Sequence, residues 1–217
     1  EFEIKFVHGD IRNKEDFKIN AAQFESAITS KTKLFIFSSP CNPTGSVYTK
    51  DELRGLADVL VKHPNIIALS DEIYEHIRFE GEHASLAQFS EIFDQVVTVN
   101  GVSKAWAMTG WRLGYIGASK QIADACNKIQ GQFTSGTSSI TQRAAIAAMD
   151  ADPSVLKEMV ETFHKRRDLV LSYLNKIPGV KCNVPTGAFY LFPDVSAYFG
   201  TKDGHQLIQD GDDLCMY

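Results

Sequence analysis

The sequence has 217 residues, of which 44% are hydrophobic, 23% charged and 11% aromatic, enough for one large domain or one domain and part of another, and too apolar for a disordered chain. A net charge of −5 argues against nucleic acid as the main partner, and no apolar run approaches the roughly 20 residues that span a bilayer, so no membrane partner is expected. Cys41, Cys126, Cys182 and Cys215 lie far apart without a C-x-x-C pair, which gives neither a zinc site nor a disulfide framework and makes a cytoplasmic location the default.

In chain order, Glu1–Val7 alternates like a strand. Leu34-Phe35-Ile36-Phe37 is a continuous apolar run that ends in the loop signal Ser38-Ser39-Pro40-Cys41-Asn42-Pro43-Thr44-Gly45. Thr49 with Glu52 three residues on reads as a capping box, and Leu53, Leu56, Ala57, Leu60 and Val61 keep helical spacing after it. Ile66–Leu69 and Val96–Val99 are two more short apolar runs, broken by Ser70-Asp71-Glu72 and by Asn100-Gly101. Apolar strands separated by helices imply an α/β fold, a three-layer arrangement with a mostly parallel sheet covered on both faces.

After Gly114-Tyr115-Ile116-Gly117 the pattern becomes helical, near Lys120–Gln130, Ser139–Met149 and Pro153–Asn175, the last with Asp152 as N-cap. Within it, His164-Lys165-Arg166-Arg167 is read as the solvated face of a long helix. Val180–Val184 and Phe189–Phe192 read as strands of a smaller α+β domain, which places a boundary near Asp150: 1–150 in the large domain and 151–217 in the start of the small one. Asp212-Asp213-Leu214-Cys215-Met216-Tyr217 reads as the first turn of a further helix.

Ligands of open α/β sheets bind beyond the carboxyl ends of the strands. Three successive strands deliver Asn42, then Asp71 with Tyr74, then Lys104, to that edge. Singly, each has a structural explanation: Asn42 a turn residue, Asp71 a helix cap, Tyr74 a packing residue, Lys104 a surface lysine. Their order at successive strand ends outweighs those readings. Lys104 also sits in the apolar and aromatic segment Ser103–Gly114, where Arg112 follows eight residues later. An amine in such a setting suits nucleophilic work, and the arginine fork suits a phosphate. Amine, phosphate clamp, carboxylate and phenol together are what pyridoxal 5′-phosphate requires.

Asn42-Pro43-Thr44-Gly45, Ser70-Asp71-Glu72-Ile73-Tyr74 and Ser103-Lys104 with Thr109-Gly110-Trp111-Arg112-Leu113-Gly114 resemble the class I aminotransferases of fold type I, nearest to their bacterial aspartate aminotransferase branch. The resemblance covers essentially the whole chain; Gly187–Pro193 is similar to part of that family's small domain. It implies that Lys104 forms a Schiff base with the cofactor and then shuttles the substrate proton. It further implies that Asp71 faces the pyridine nitrogen, that Asn42 and Tyr74 donate to the phenolic oxygen, and that Arg112 grips the phosphate. A cis Asn42–Pro43 bond, a homodimer, and amino-acid and 2-oxo-acid substrates such as aspartate and 2-oxoglutarate are implied in the same way.

Two positions bear on the resemblance. Many relatives carry serine three residues before the lysine, where this chain has Gly101, and Thr134-Ser135-Gly136 resembles a loop that reaches the partner subunit's site. The family's phosphate loop, ring-stacking aromatic residue and carboxylate-binding arginine are expected outside residues 1–217, so the chain reads as a fragment, inactive alone. Competing readings are an aromatic, alanine or kynurenine aminotransferase or a C–S lyase of the same fold, and a non-catalytic cofactor-binding sensor. A dinucleotide-binding domain is disfavoured by the absence of G-x-G-x-x-G. Glu72, Glu75, His76, Glu82 and His83 are close in sequence, but no metal is expected there, because a shared face would need a helix that Arg78-Phe79-Glu80-Gly81 interrupts.

Overall fold

The structure, a computed structural model, describes residues 17–204 and 206–216. The strand reading of Glu1–Val7 lies outside the described residues. The first described element is α1 (Ala21–Ala27), capped by Asn20 and Gln23 in a reciprocal box. Four strands follow in the order of the chain: β1 (Leu34–Ser38), β2 (Ile67–Asp71), β3 (Val96–Gly101) and β4 (Gly114–Gly117). β1, β2 and β3 are parallel, with Phe35 beside Ala68 and Leu69 beside Val97; β4 runs antiparallel to β3, with Gly101 beside Gly114. The short apolar runs thus form a parallel-dominant sheet, and the antiparallel strand is a finding beyond the sequence reading.

β1 and β2 are joined by α2 (Lys50–Lys62). Its start is the expected box: the Thr49 hydroxyl accepts from the Glu52 N–H at 3.3 Å, and the Thr49 N–H donates to Glu52 Oε2 at 2.7 Å. Leu53, Leu56, Ala57 and Leu60 form the buried stripe, packed with Phe24, Ala68, Leu86, Ile92 and Val96. The second crossover carries no α-helix, unlike the strand–helix alternation expected. β2 reaches β3 through two 3₁₀ turns, Leu86–Gln88 and Ser90–Gln95, which put Leu86 and Ile92 into the same core. Cover on the opposite face is incomplete among the described residues. Leu34 and Ile36 of β1 are 49% and 62% exposed, and α3 (Lys120–Phe133) contains no buried residue.

α4 (Ser139–Asp150) leads to a 3₁₀ turn over Pro153–Leu156 and then α5 (Lys157–Leu174), with Asp152 Oδ1 accepting from the Ser154 N–H at 2.8 Å as its cap. Lys165 and Arg166 are solvated, as read from sequence, but Arg167 is not: its side chain is 8% exposed, lies 5.0 Å from the Phe79 ring centroid and donates to the Pro185 carbonyl at 2.8 Å.

Neither Val180–Val184 nor Phe189–Phe192 is a strand. The only ladder contact there is a single bridge between Lys181 and Asp194 among the described residues. Pro185 and Pro193 remove donors, and Ala188 adopts φ 56, outside the extended region. A two-residue ribbon, β5 (Lys202–Asp203) with β6 (Gln206–Leu207), and α6 (Gly211–Met216) complete the described chain; α6 is the helical turn expected from Asp212 and Asp213.

Segment 183–188 acts as a strap. Asn183 Nδ2 donates to the Thr44 carbonyl at 2.9 Å, the Thr186 and Gly187 N–H groups donate to Gly45 O, Phe79 N donates to Thr186 O, and Ala188 N donates to Ile77 O. Gly45 is required at this crossing: its φ is +68, and an added Cβ would collide with Pro185. The strap therefore clamps together the loops that follow β1 and β2.

Candidate active site

The five residues singled out in the sequence come together. Asn42, Asp71, Tyr74, Lys104 and Arg112 line one cavity of about 480 Å³, beyond the carboxyl ends of β1, β2 and β3. Ser38, Asn100, Ser103 and Thr109 line it as well, and the sequence reading assigned these no role.

Each is positioned by its own local structure. Asn42 lies between a cis Ser39–Pro40 and a cis Asn42–Pro43 bond, the second as expected and the first not anticipated. The loop is closed by Cys41 N donating to Ser46 O at 2.9 Å and by Tyr48 N donating to the Ser39 hydroxyl at 3.0 Å. Asp71 is the last residue of β2. Its backbone carbonyl accepts from Ser39 N at 3.0 Å, tying it to the end of β1, and its Oδ1 accepts from Ile73 N at 3.1 Å. That second bond turns the chain so that Tyr74, 2% exposed, points back beneath the cavity.

Lys104 and Arg112 sit on two consecutive turns after β3. Ala107 N donates to Lys104 O and Trp111 N to Met108 O, while Ala107 and Arg112 take left-handed backbone with φ 52 and 54. Left-handed alanine and arginine are rare and cost of order 1–3 kcal/mol each, a pattern that concentrates at functional sites. Thr109 holds the pair of turns, with its hydroxyl donating to Ser103 O and its carbonyl accepting from Arg112 Nη1, both at 3.0 Å. The aromatic surroundings of Lys104 differ from those read in sequence. Its Nζ lies 5.7 Å from the Tyr74 ring centroid and 6.0 Å from that of Phe189, whereas Trp111 is 45% exposed. Gly101 also has a structural reason. A Cβ there would stand 2.8 Å from the Leu113 carbonyl, so a serine does not fit while β3 and β4 lie this close.

Behind Asp71 is a buried polar network. Glu72, 3% exposed, accepts from Ser70 at 3.0 Å and from Ser85 at 2.7 Å, and its other oxygen lies 2.7 Å from His83 Nε2. Glu75 accepts from Asn100 Nδ2 at 2.8 Å and lies 3.3 Å from His76 Nε2. Ligand atoms of Glu72, Glu75 and His83 come within 4.8 Å of one another, and both carboxylates already take protein donors.

The hydrogen bond from His76 holds the Glu75 carboxyl below its usual 4.5 against the opposing effect of burial, with help from Asn100 and the charge of His83. A depressed carboxyl stabilises the fold above its unfolded pKa and loses that contribution as pH falls through the folded value. Glu75→Gln is therefore expected to lower the Tm at pH 7, with the gap to the parent protein closing as pH drops below about 4.5. A gap independent of pH contradicts this account. The Tyr74 phenol is pushed well above its ordinary value, first by burial and also by the charge of Asp71, so it stays protonated and able to donate.

The sequence profile of the family described as Aminotransferase class I and II matches residues 2–214. The chain belongs to this family. A bifunctional aspartate aminotransferase and glutamate/aspartate-prephenate aminotransferase of Petunia hybrida is 48% identical over 208 residues, covering 94% of this chain and 43% of its own length. An aspartate aminotransferase of Pinus pinaster is 44% identical over 208 residues, with 94% and 42% covered. The crystal structure of the aspartate aminotransferase from Rhizobium meliloti superposes with a TM-score of 0.88 at 40% identity, over 92% of this chain and 51% of that one. The chain thus spans about half the length of the relatives it matches. Aminotransferases of this family use pyridoxal 5′-phosphate, the cofactor expected from the sequence. An aromatic aminotransferase from Pyrococcus horikoshii superposes at 0.80 with 37% identity, over 85% of this chain and 50% of that one, so the fold does not separate donors.

Proposed function

We propose that the intact protein transfers an amino group from aspartate, or a similar amino acid, to a 2-oxo acid such as 2-oxoglutarate, and that these residues form its cofactor-binding half-site. The observation that carries this is the convergence of Lys104, Asp71, Tyr74, Asn42 and Arg112 on one cavity of about 480 Å³ from three strand ends. The donor set fits pyridoxal 5′-phosphate: an amine for its aldehyde, a carboxylate for its pyridine nitrogen, an amide and a protonated phenol for its phenolic oxygen, and a guanidinium for its phosphate.

When bound, the cofactor supplies an aldehyde to carry the amino group and a ring that accepts electrons from the substrate α-carbon. Lys104 Nζ would hold the cofactor through its aldehyde and, once freed, would take up and return the proton of the substrate α-carbon. Asp71 keeps the pyridine nitrogen protonated through a charge-assisted hydrogen bond. Asn42 and Tyr74 donate to the phenolic oxygen and favour its ionised form. Arg112 fixes the phosphate, which keeps the reacting atoms within reach of Lys104.

Aspartate is favoured as donor by the names of the similar proteins from Petunia and Pinus, and the former adds prephenate as a second candidate acceptor. The homodimer and the cytoplasmic location belong to the same reading. Exposed Phe133 and Ile140 at 83% and 73% support association, and among the described residues no helix is long and apolar enough to cross a membrane. The boundary near Asp150 is kept as the division between large and small domains, supported by the end of α4 at that residue.

A donor and acceptor panel on the intact protein tests the assignment. Turnover is expected to be highest with aspartate and 2-oxoglutarate. Preference for an aromatic amino acid or alanine moves the protein to another aminotransferase, release of a thiol from a C–S substrate makes it a lyase, and no turnover of any kind favours the sensor reading.

A further inference from the structure

Tyr74 has one partner that the sequence did not reveal. Its hydroxyl lies 2.5 Å from the hydroxyl of Tyr190, across 116 residues of chain. The contact is built in. Tyr190 follows the strap that clamps the two site loops, and its ring packs against Tyr74 at 5.6 Å and against Phe189 at 4.8 Å. Tyr74 and Ala188 are buried in one cluster against which Tyr190 packs, while Tyr190 itself is half-buried and closer to solvent.

Two phenols that share a hydrogen bond have one proton each to give, and only one of them donates across the contact. If Tyr74 gives its proton to Tyr190, it has none left for the cofactor. If Tyr190 donates, Tyr74 is free to donate onward, and accepting one bond strengthens the next in the chain. We propose that Tyr190 is a positioning residue that donates to Tyr74, so that the pair forms a one-way chain from Tyr190 through Tyr74 to the phenolic oxygen of the bound cofactor. The proposal rests on Tyr74 contacting that oxygen.

A donor at the phenolic oxygen stabilises negative charge there and makes the neighbouring cofactor nitrogen easier to deprotonate, so weakening the donor raises the pH midpoint of the bound cofactor's colour change. The experiment is an absorbance titration of the cofactor-loaded intact protein in the parent, Tyr190→Phe, Tyr74→Phe and the double variant. Phenylalanine keeps both rings, so packing is retained. Tyr190→Phe is expected to raise the midpoint by about half a pH unit or more, Tyr74→Phe by more, and the double variant no further than Tyr74→Phe alone. A midpoint unmoved in Tyr190→Phe but raised in Tyr74→Phe overturns the inference and leaves the site reading intact. So does a double variant whose shift is the sum of the two, because that describes two independent effects. If neither single variant moves the midpoint, the placement of Tyr74 at the cofactor falls, and the inference falls with it.

Discussion

Lys104→Ala is expected to abolish transamination by the intact protein, with a loss of at least about 10⁴-fold, because in the proposed function one side chain supplies both the covalent hold on the cofactor and the proton transfer. The fold should survive. Lys104 is half-buried, with its Nζ over the faces of Tyr74 and Phe189, and the turns around it are held by backbone bonds and by Thr109. Steady-state rates with aspartate and 2-oxoglutarate, read beside circular dichroism, check both halves. Activity within tenfold of the parent protein means that another group carries the proton.

Asp71→Ala acts differently. In the proposed function, removing the carboxylate deprives the ring nitrogen of a charge-assisted partner worth about 3–4 kcal/mol in a water-excluded site, which corresponds to a loss of about 10²–10³-fold in kcat. Lys104 is untouched, so the cofactor still attaches, and the variant should remain coloured while failing to turn over. The same substitution removes the Asp71 Oδ1 bond to Ile73 N, so Asp71→Asn, which keeps an oxygen acceptor there, separates charge from shape. Both variants should be slow. If Asp71→Asn is as active as the parent, the carboxylate only caps the turn.

Much of this arrangement was legible in the sequence because it is local. Thr49 and Glu52 sit on one helical turn, and Asp152 stands two residues before the amide it caps, so their spacing alone predicts their bonds. Asn42, Asp71 and Lys104 were legible for a related reason. Asp71 ends, and Asn42 and Lys104 follow, a strand of the parallel run β1 to β3, and such strands bring their carboxyl ends to one edge whatever the tertiary detail. The clamp on Arg112 and Lys104 by Thr109 was within reach of sequence reading, since both of its bonds are local, but nothing in the residue types indicates the left-handed backbone of Ala107 and Arg112.

What escaped was long-range. Tyr190 meets Tyr74 through a strap whose register depends on Gly45 and Gly187 passing close to Pro185 and Pro40, and no periodicity encodes that crossing. The apolar stretches 180–184 and 189–192 look like strands because they are rich in strand-forming residues. The segment between them, 186–188, bonds instead to Gly45, Ile77 and Phe79, and the one ladder contact of the stretches themselves among the described residues is the bridge at Lys181. Arg167 escaped for the same reason, its cationic neighbours suggesting solvent while the Pro185 carbonyl and the Phe79 ring draw it inward.

The most direct test of the central claim is borohydride reduction of the intact protein loaded with pyridoxal 5′-phosphate, followed by peptide mapping. Reduction is expected to bleach the yellow colour and to leave a single reduced cofactor adduct on Lys104. A loaded protein that is colourless before reduction, or an adduct on any other lysine, contradicts it.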